Sequence, residues 1–136
     1  MRLEITRRAD LAVRALVLLA STRRRWKAPE LADALGTTTG FATQAIGPLV
    51  KAGWVRSWPG PTGGYVATVR ADDVSVLDVV ESVDGATDVG RCVVADRACD
   101  ATAPCSLHVA WGRARAELTR SLADTPLSTL TAGAPR

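Results

Sequence analysis

The sequence predicts a mainly α fold with a small β-wing, a winged helix-turn-helix followed by a long C-terminal dimerisation helix. Three observations predict it. Apolar residues recur at helical spacing in three successive stretches before residue 54, and the second and third stretches are short and joined through Gly36. Two β-prone runs then flank a Pro/Gly-rich segment at 59–64. A single apolar stripe of helical period occupies the chain from about Ser106 to Leu122.

Taken in order, Thr6 is placed to cap a first helix running to about Ser21, with Ile5, Ala9, Ala12, Val13, Leu16, Val17 and Ala20 forming one buried face. A polar hinge, Ser-Thr-Arg-Arg-Arg (21–25), leads to a second helix over Pro29–Leu35, with Pro in its first turn and Gly36 as its stop. Thr38 or Thr39 caps a third helix through Phe41, Ala45, Ile46, Leu49 and Val50, ended by Gly53. Trp54–Trp58 and Tyr65–Val69 read as the strands of a hairpin, the wing. Ser75-Val-Leu-Asp78 has the form of a capping box and opens a short helix to about Val83, broken by Asp84-Gly85. These residues, 1–84, form the expected DNA-binding domain. Residues 85–105 carry no sustained period and hold all three cysteines. In the region 106–130, Leu107, Trp111, Ala114, Leu118 and Leu122 make the stripe of the long helix, which packs inward or against its copy, and a short helix begins at Thr125-Pro126. Residues 131–136 read as a disordered tail.

With 136 residues, 47% of them hydrophobic, the chain suits one modest domain or a DNA-binding unit with an appended helix. No apolar run approaches the roughly 18 residues of a membrane span. The N-terminus lacks the pattern of a signal peptide, so the expected address is cytoplasmic, with no membrane partner. Charge is uneven. Residues 1–70 hold 11 Lys and Arg against 4 Asp and Glu, whereas residues 71–136 hold 6 against 10. A basic front half is the electrostatic footprint of a phosphate-binding surface. The chain shows no nucleophile–base pairing, one His, and no Gly-rich phosphate loop ending in Lys-Ser/Thr, so an enzyme is not expected.

Three cysteines cannot all pair within one chain, and Cys92, Cys99 and Cys105 lie close together, which favours a metal or redox role over a disulfide framework. The opening Met1-Arg-Leu3, the helix-turn-helix, the wing Gly60-Pro-Thr-Gly-Gly-Tyr65, and Arg91-Cys92 with Cys99, Cys105 and His108 resemble the winged-helix iron–sulfur transcriptional regulators typified by IscR and NsrR. The resemblance covers roughly residues 1–130, and its most specific part is Cys-x6-Cys-x5-Cys-x2-His followed by Trp111. Members commonly have one residue fewer in the first gap, a difference that a loop absorbs.

The resemblance implies a homodimer bound to a double-stranded operator, a repressor whose DNA affinity follows a [2Fe–2S] or [4Fe–4S] cluster on Cys92, Cys99 and Cys105. It offers two fourth ligands. His108 stands where IscR-like members place a histidine on a [2Fe–2S] cluster, and Asp10 where an NsrR-like member supplies an aspartate from the other subunit to a [4Fe–4S] cluster. Without the family, Asp10 pairs with Arg14 at i,i+4 spacing and His108 caps or packs in its helix. Thiolates on an irregular loop are the usual holders of such clusters. A fourth ligand of oxygen or nitrogen leaves one iron open to nitric oxide, oxygen or a competing thiol, which suits sensing. Two alternatives stay open beside the cluster. One is a structural zinc on the Cys105-x-x-His108 spacing, although Cys92 and Cys99 are separated by six residues. The other is a cluster-free repressor with thiol-based sensing.

In the docking expected of this architecture the third helix enters the major groove by its N-terminal half, which makes Thr39, Gly40, Thr43 and Gln44 the readers. Gln44 is suited to a bidentate pair with adenine. Arg7, Arg8, Lys51 and Arg56 are the expected backbone contacts, with Gly60 and Thr62 at the wing tip. Two departures from relatives stand out. Gly47-Pro48 forfeits an internal bond of the reading helix, and Pro59 replaces the Arg that some relatives place before the wing's Gly-Pro, leaving Arg56 as the nearest basic substitute.

Overall fold

The computed structural model describes residue 1 and residues 3–130. The expected tail, 131–136, lies outside the described residues.

The first helix, α1, spans Arg7–Thr22. Thr6 sits in extended backbone, and its hydroxyl oxygen accepts from the Ala9 N–H at 3.1 Å, satisfying a donor that has no partner within the helix. Arg23, left-handed at φ 50°, ends the helix by donating its N–H to the Leu19 carbonyl. The expectation of one buried face beginning at Ile5 is corrected in two ways. Ile5 precedes the cap and is exposed. Ala9, Leu11, Ala12, Val13, Ala15, Leu16, Val17, Leu19 and Ala20 are all buried, so the core surrounds most of the helix. Arg7, Arg8, Asp10, Arg14, Leu18, Ser21 and Thr22 are the residues of the helix that remain exposed or half-buried. The cause is position: α1 is the central element, and the next three helices and the hairpin pack around it.

Two short helices follow, α2 (Ala28–Leu35) and α3 (Thr39–Lys51). Pro29 lies in the first turn of α2, and Gly36 leaves it at φ 68°. The Thr38 hydroxyl oxygen accepts from the Phe41 N–H at 3.2 Å and starts α3. Leu31, Leu35, Ala45, Ile46 and Leu49 are buried in the core that α1 organises. Pro48 lies inside α3, and the helix continues through it to Lys51.

The wing is an antiparallel pair, β1 (Val55–Trp58) and β2 (Gly64–Ala67), with Val55 opposite Ala67 and Trp58 opposite Gly64. Trp54, Thr68 and Val69, expected in the strands, lie just outside them. A third segment joins the hairpin unannounced by the sequence. Trp26, directly after the arginine run, exchanges both backbone bonds with Tyr65, at 2.9 and 2.8 Å. This approach explains Gly64, which sits at φ 145° with the Trp26 carbonyl where a Cβ would stand.

A single 3-10 turn (Ala71–Asp73) leads to α4, Val76–Asp84. Its capping box is complete. The Ser75 Oγ accepts from the Asp78 N–H at 3.1 Å, and the Asp78 carboxylate accepts from the Ser75 N–H at 2.9 Å. Residues 86–107 contain no helix or strand. The last helix, α5, spans His108–Ala123, two residues later at its start than the expected Ser106. No residue of α5 is fully buried, and among the apolar stripe Leu118 is exposed, while Leu107 precedes the helix and is exposed as well. The stripe packs inward only in part: Trp111 and Leu122 are half-buried, and α5 lies against α4. Beyond α5, the helix expected from Thr125-Pro126 is one 3-10 turn, Leu127–Thr129. It folds back on the winged unit: the Val76 N–H reaches the Thr125 carbonyl and the Leu127 N–H the Val74 carbonyl, both at 2.9 Å, with Leu127 fully buried in the core.

Candidate functional site

The three cysteines owe their arrangement to a small backbone clasp in the loop between α4 and α5. Gly90, at φ 72°, turns the chain so that Arg91 and Ala98 face one another. The Cys92 N–H then donates to the Arg97 carbonyl at 2.9 Å and the Cys99 N–H to the Gly90 carbonyl at 2.7 Å. An Arg91–Asp96 ion pair closes the same turn. Further along, the Asp100 carboxylate accepts from both the N–H and the hydroxyl of Thr102, at 2.8 and 2.7 Å, bending the chain ahead of Cys105. The Thr102 hydroxyl, then its N–H, hold the Asp100 carboxyl below the usual range. The His108 N–H donates to the Cys105 carbonyl at 3.2 Å, so one turn leading into α5 joins the third thiol to the imidazole.

These restraints gather all four side chains. Cys99 Sγ lies 3.3 Å from His108 Nδ1. Cys92, Cys99, Cys105 and His108 line one cavity of about 80 Å³, together with Trp111 and Arg115. All three thiols are free. Cys92 Sγ accepts from the N–H groups of Ala95 and Val94, each at 3.5 Å, and those two bonds, in that order, pull its pKa below the ordinary thiol value. Partial burial opposes the shift, and a bond from Cys105 and the charge of Arg97 add to it. Among the described residues no three His, Cys, Asp and Glu side chains are gathered so as to hold a single metal ion. The four groups line a space rather than meet at a point.

Asp10 stands apart from this cavity within the chain. Its carboxylate is 3.9 Å from the Arg14 guanidinium, which also donates to the Leu35 carbonyl at 3.0 Å. The cavity is itself tied to the winged unit. Arg115, which lines it, pairs with Asp88 at 3.5 Å, and the Thr87 N–H donates to the Glu81 carboxylate of α4 at 2.5 Å. At the end of α4 the Asp84 carboxylate accepts the hydroxyl of Thr6, the cap of α1, at 2.9 Å.

The second feature is a basic, exposed face. Thr39, Gly40, Thr43, Gln44 and Lys51 on α3 are exposed, as are Gly60 and Thr62 at the wing tip and Arg7, Arg8 and Arg56. The Thr43 hydroxyl donates to the Thr39 carbonyl at 2.8 Å. The Arg7 guanidinium lies 5.7 Å from the Phe41 ring centroid. Arg8, expected as a backbone contact, is exposed, and its Nε and Nη2 donate to the Gln44 carbonyl at 3.4 and 3.3 Å. At the wing, the Trp58 ring has two guanidiniums near it, Arg56 at 4.8 Å and Arg25 at 5.2 Å. Arg25 also donates to the Thr62 carbonyl at 2.6 Å. Arg25 belongs to the stretch 21–25 that the sequence marks only as a polar hinge, and the Trp26–Tyr65 pairing is what brings it to the wing tip. Among the described residues no helix is long and apolar enough to cross a membrane.

Residues 5–133 match the family model Rrf2, described as an iron-dependent transcriptional regulator. The chain is 28% identical over 131 residues to the HTH-type transcriptional regulator IscR of Vibrio atlanticus, covering 94% of this chain and 75% of that protein. Among solved structures it is similar in fold to the IscR of T. potens, with a TM-score of 0.69, 21% identity, and 93% and 84% of the two chains covered. It is also similar to CymR, the global cysteine regulator of B. subtilis, with a TM-score of 0.73, 21% identity, and 93% and 95% covered.

Proposed function

The chain belongs to the Rrf2 family of iron-dependent transcriptional regulators, and from that premise we propose that it is a homodimeric, operator-binding repressor. Its DNA affinity is set by an iron–sulfur cluster held by Cys92, Cys99, Cys105 and His108. The observation that carries this reading is the convergence of three thiols and one imidazole on a single cavity of about 80 Å³.

The donor set fits. Cluster irons take thiolates, and the Ala95 and Val94 N–H groups favour the thiolate of Cys92. His108, fixed in place by the first turn of α5, adds a nitrogen donor of the kind that ligates iron in place of sulfur. When bound, the group supplies a centre sensitive to oxidation and to nitric oxide. The chain's part is to hold it and to transmit its loss. Trp111 and Arg115 wall the cavity, and the Arg115–Asp88 and Glu81–Thr87 links connect it to the winged unit. On the DNA side, Thr39, Gly40, Thr43 and Gln44 read the major groove, while Arg7, Lys51, Arg25 and Arg56 meet phosphates. The exposed part of the apolar stripe, Ala114 and Leu118 on α5 with Leu107 just ahead of it, faces a second subunit.

A thiol-based reading is favoured by one feature, the lining of a single cavity by three free thiols, which keeps oxidisable sulfurs near one another. A mononuclear zinc is the weaker alternative, since the side chains do not close on one point. Oxygen-free purification separates the three. Visible absorbance with iron and acid-labile sulfide, lost in Cys92→Ala, Cys99→Ala and Cys105→Ala, supports the cluster. A colourless protein that forms a Cys92–Cys105 disulfide supports thiol sensing, and zinc in place of iron supports the structural site.

A further inference from the structure

We propose that Arg8 is the positioning residue of the reading helix: it replaces the hydrogen bond that Pro48 deletes and so fixes the segment of α3 that carries Gln44. The inference deepens the DNA-reading role above and rests on it, but its structural half stands alone.

In an α-helix the carbonyl of residue 44 accepts from the N–H of residue 48. Residue 48 here is Pro, which has no N–H, and its ring also presses against that carbonyl. Gly47 fits the same account, because a side chain before Pro disfavours helical backbone and Gly has none. An orphaned carbonyl in the middle of a helix is normally repaired by water or by bending. Here the repair is a charged group from another helix. Nε and Nη2 of Arg8, in the first turn of α1, both donate to the Gln44 carbonyl. One guanidinium thus spans α1 and α3 and grips the backbone of a residue whose side chain faces outward. Charge assistance strengthens such a bond relative to water. Because the carbonyl is fixed, the direction in which Gln44 leaves the helix is fixed too. Arg8 therefore contributes to which base pairs are accepted more than to overall attraction for phosphate.

The test uses full-length wild type, Arg8→Gln, Pro48→Ala and the double variant. Urea unfolding supplies a folding cycle that needs no DNA. Fluorescence anisotropy follows binding to a duplex selected by the wild type from a random pool and to a scrambled duplex, over a salt series. Restoring an N–H at residue 48 makes Arg8 dispensable. The expected result is that Arg8→Gln lowers the urea midpoint and cuts the preference for the selected duplex about fivefold when Pro48 is present. In the Pro48→Ala background it does neither. Loss of affinity for both duplexes alike, with the salt slope reduced by about 1, would make Arg8 a phosphate contact and overturn the proposal. Equal effects of Arg8→Gln in the two backgrounds would overturn it as well. Should the wild type select no duplex, the folding cycle alone decides, and additive effects of the two substitutions sink the inference.

Discussion

Cys99 Sγ and His108 Nδ1 stand 3.3 Å apart, the thiol on the irregular loop and the imidazole at the first residue of α5. The pair joins two elements that are separate in sequence and puts a nitrogen donor beside the sulfurs. Asp10, the other candidate and one that would come from a second subunit, lies 3.9 Å from the Arg14 guanidinium of its own chain. Under oxygen-free conditions His108→Ala is expected to retain iron poorly and to shift the visible spectrum, because one iron loses its nitrogen ligand. Asp10→Ala is expected to leave the spectrum unchanged. The reverse pattern would transfer the fourth position to an aspartate.

Cluster-free protein offers a pH-dependent observable. The Cys92 thiolate is favoured by the Ala95 N–H first and the Val94 N–H second. A thiol with lowered pKa becomes reactive at lower pH. Iodoacetamide labelling mapped by peptide mass spectrometry is therefore expected to show a Cys92 midpoint displaced below that of an unperturbed thiol. A midpoint at the ordinary value would remove the role assigned to those two N–H groups.

Arg25 is expected to act at the wing in the place left by Pro59. Its bond to the Thr62 carbonyl and its approach to Trp58 hold the guanidinium at the wing tip before any DNA arrives. Arg25→Ala should weaken binding to selected and scrambled duplexes alike, by about fivefold at low salt, and reduce the salt slope by about 1. Anisotropy titrations measure both. An unchanged slope would show that Arg25 serves the wing's structure alone.

Leu127 is fully buried although it follows the long helix by several residues. Leu127→Ala should cost about 2–5 kcal/mol of folding stability, the range for a buried leucine that leaves a cavity. Urea unfolding is the check, and a loss below about 1 kcal/mol would mean that the 3-10 turn is not an integral part of the core.

Much of the DNA-binding unit was legible because its signals are local. Thr6, Thr38 and the Ser75/Asp78 box announce helix starts within three residues of the N–H groups they satisfy, and Gly36 announces a stop. The spacing of Cys92, Cys99, Cys105 and His108 likewise marked the candidate site. What the sequence concealed depends on distant partners. The pairing of Trp26 with Tyr65 brought Arg25 to the wing, and the docking of Leu127 against Val74 closed the core. Burial of α1 on most sides follows from its central place, which helical periodicity alone does not encode. The commitment of Arg8 to the Gln44 carbonyl was half visible, since Pro48 showed a missing donor but not its replacement.

Operator affinity of cluster-loaded and cluster-free wild type, compared at one fixed salt concentration on one selected duplex, tests the central claim most directly. The account predicts that the loaded form binds at least about fivefold tighter, the lower range of ordinary coupling between two sites. It also predicts that a Cys92→Ser/Cys99→Ser/Cys105→Ser variant behaves as the cluster-free form under both treatments. Equal affinity of the two wild-type forms would contradict control of DNA binding by the cysteine cavity.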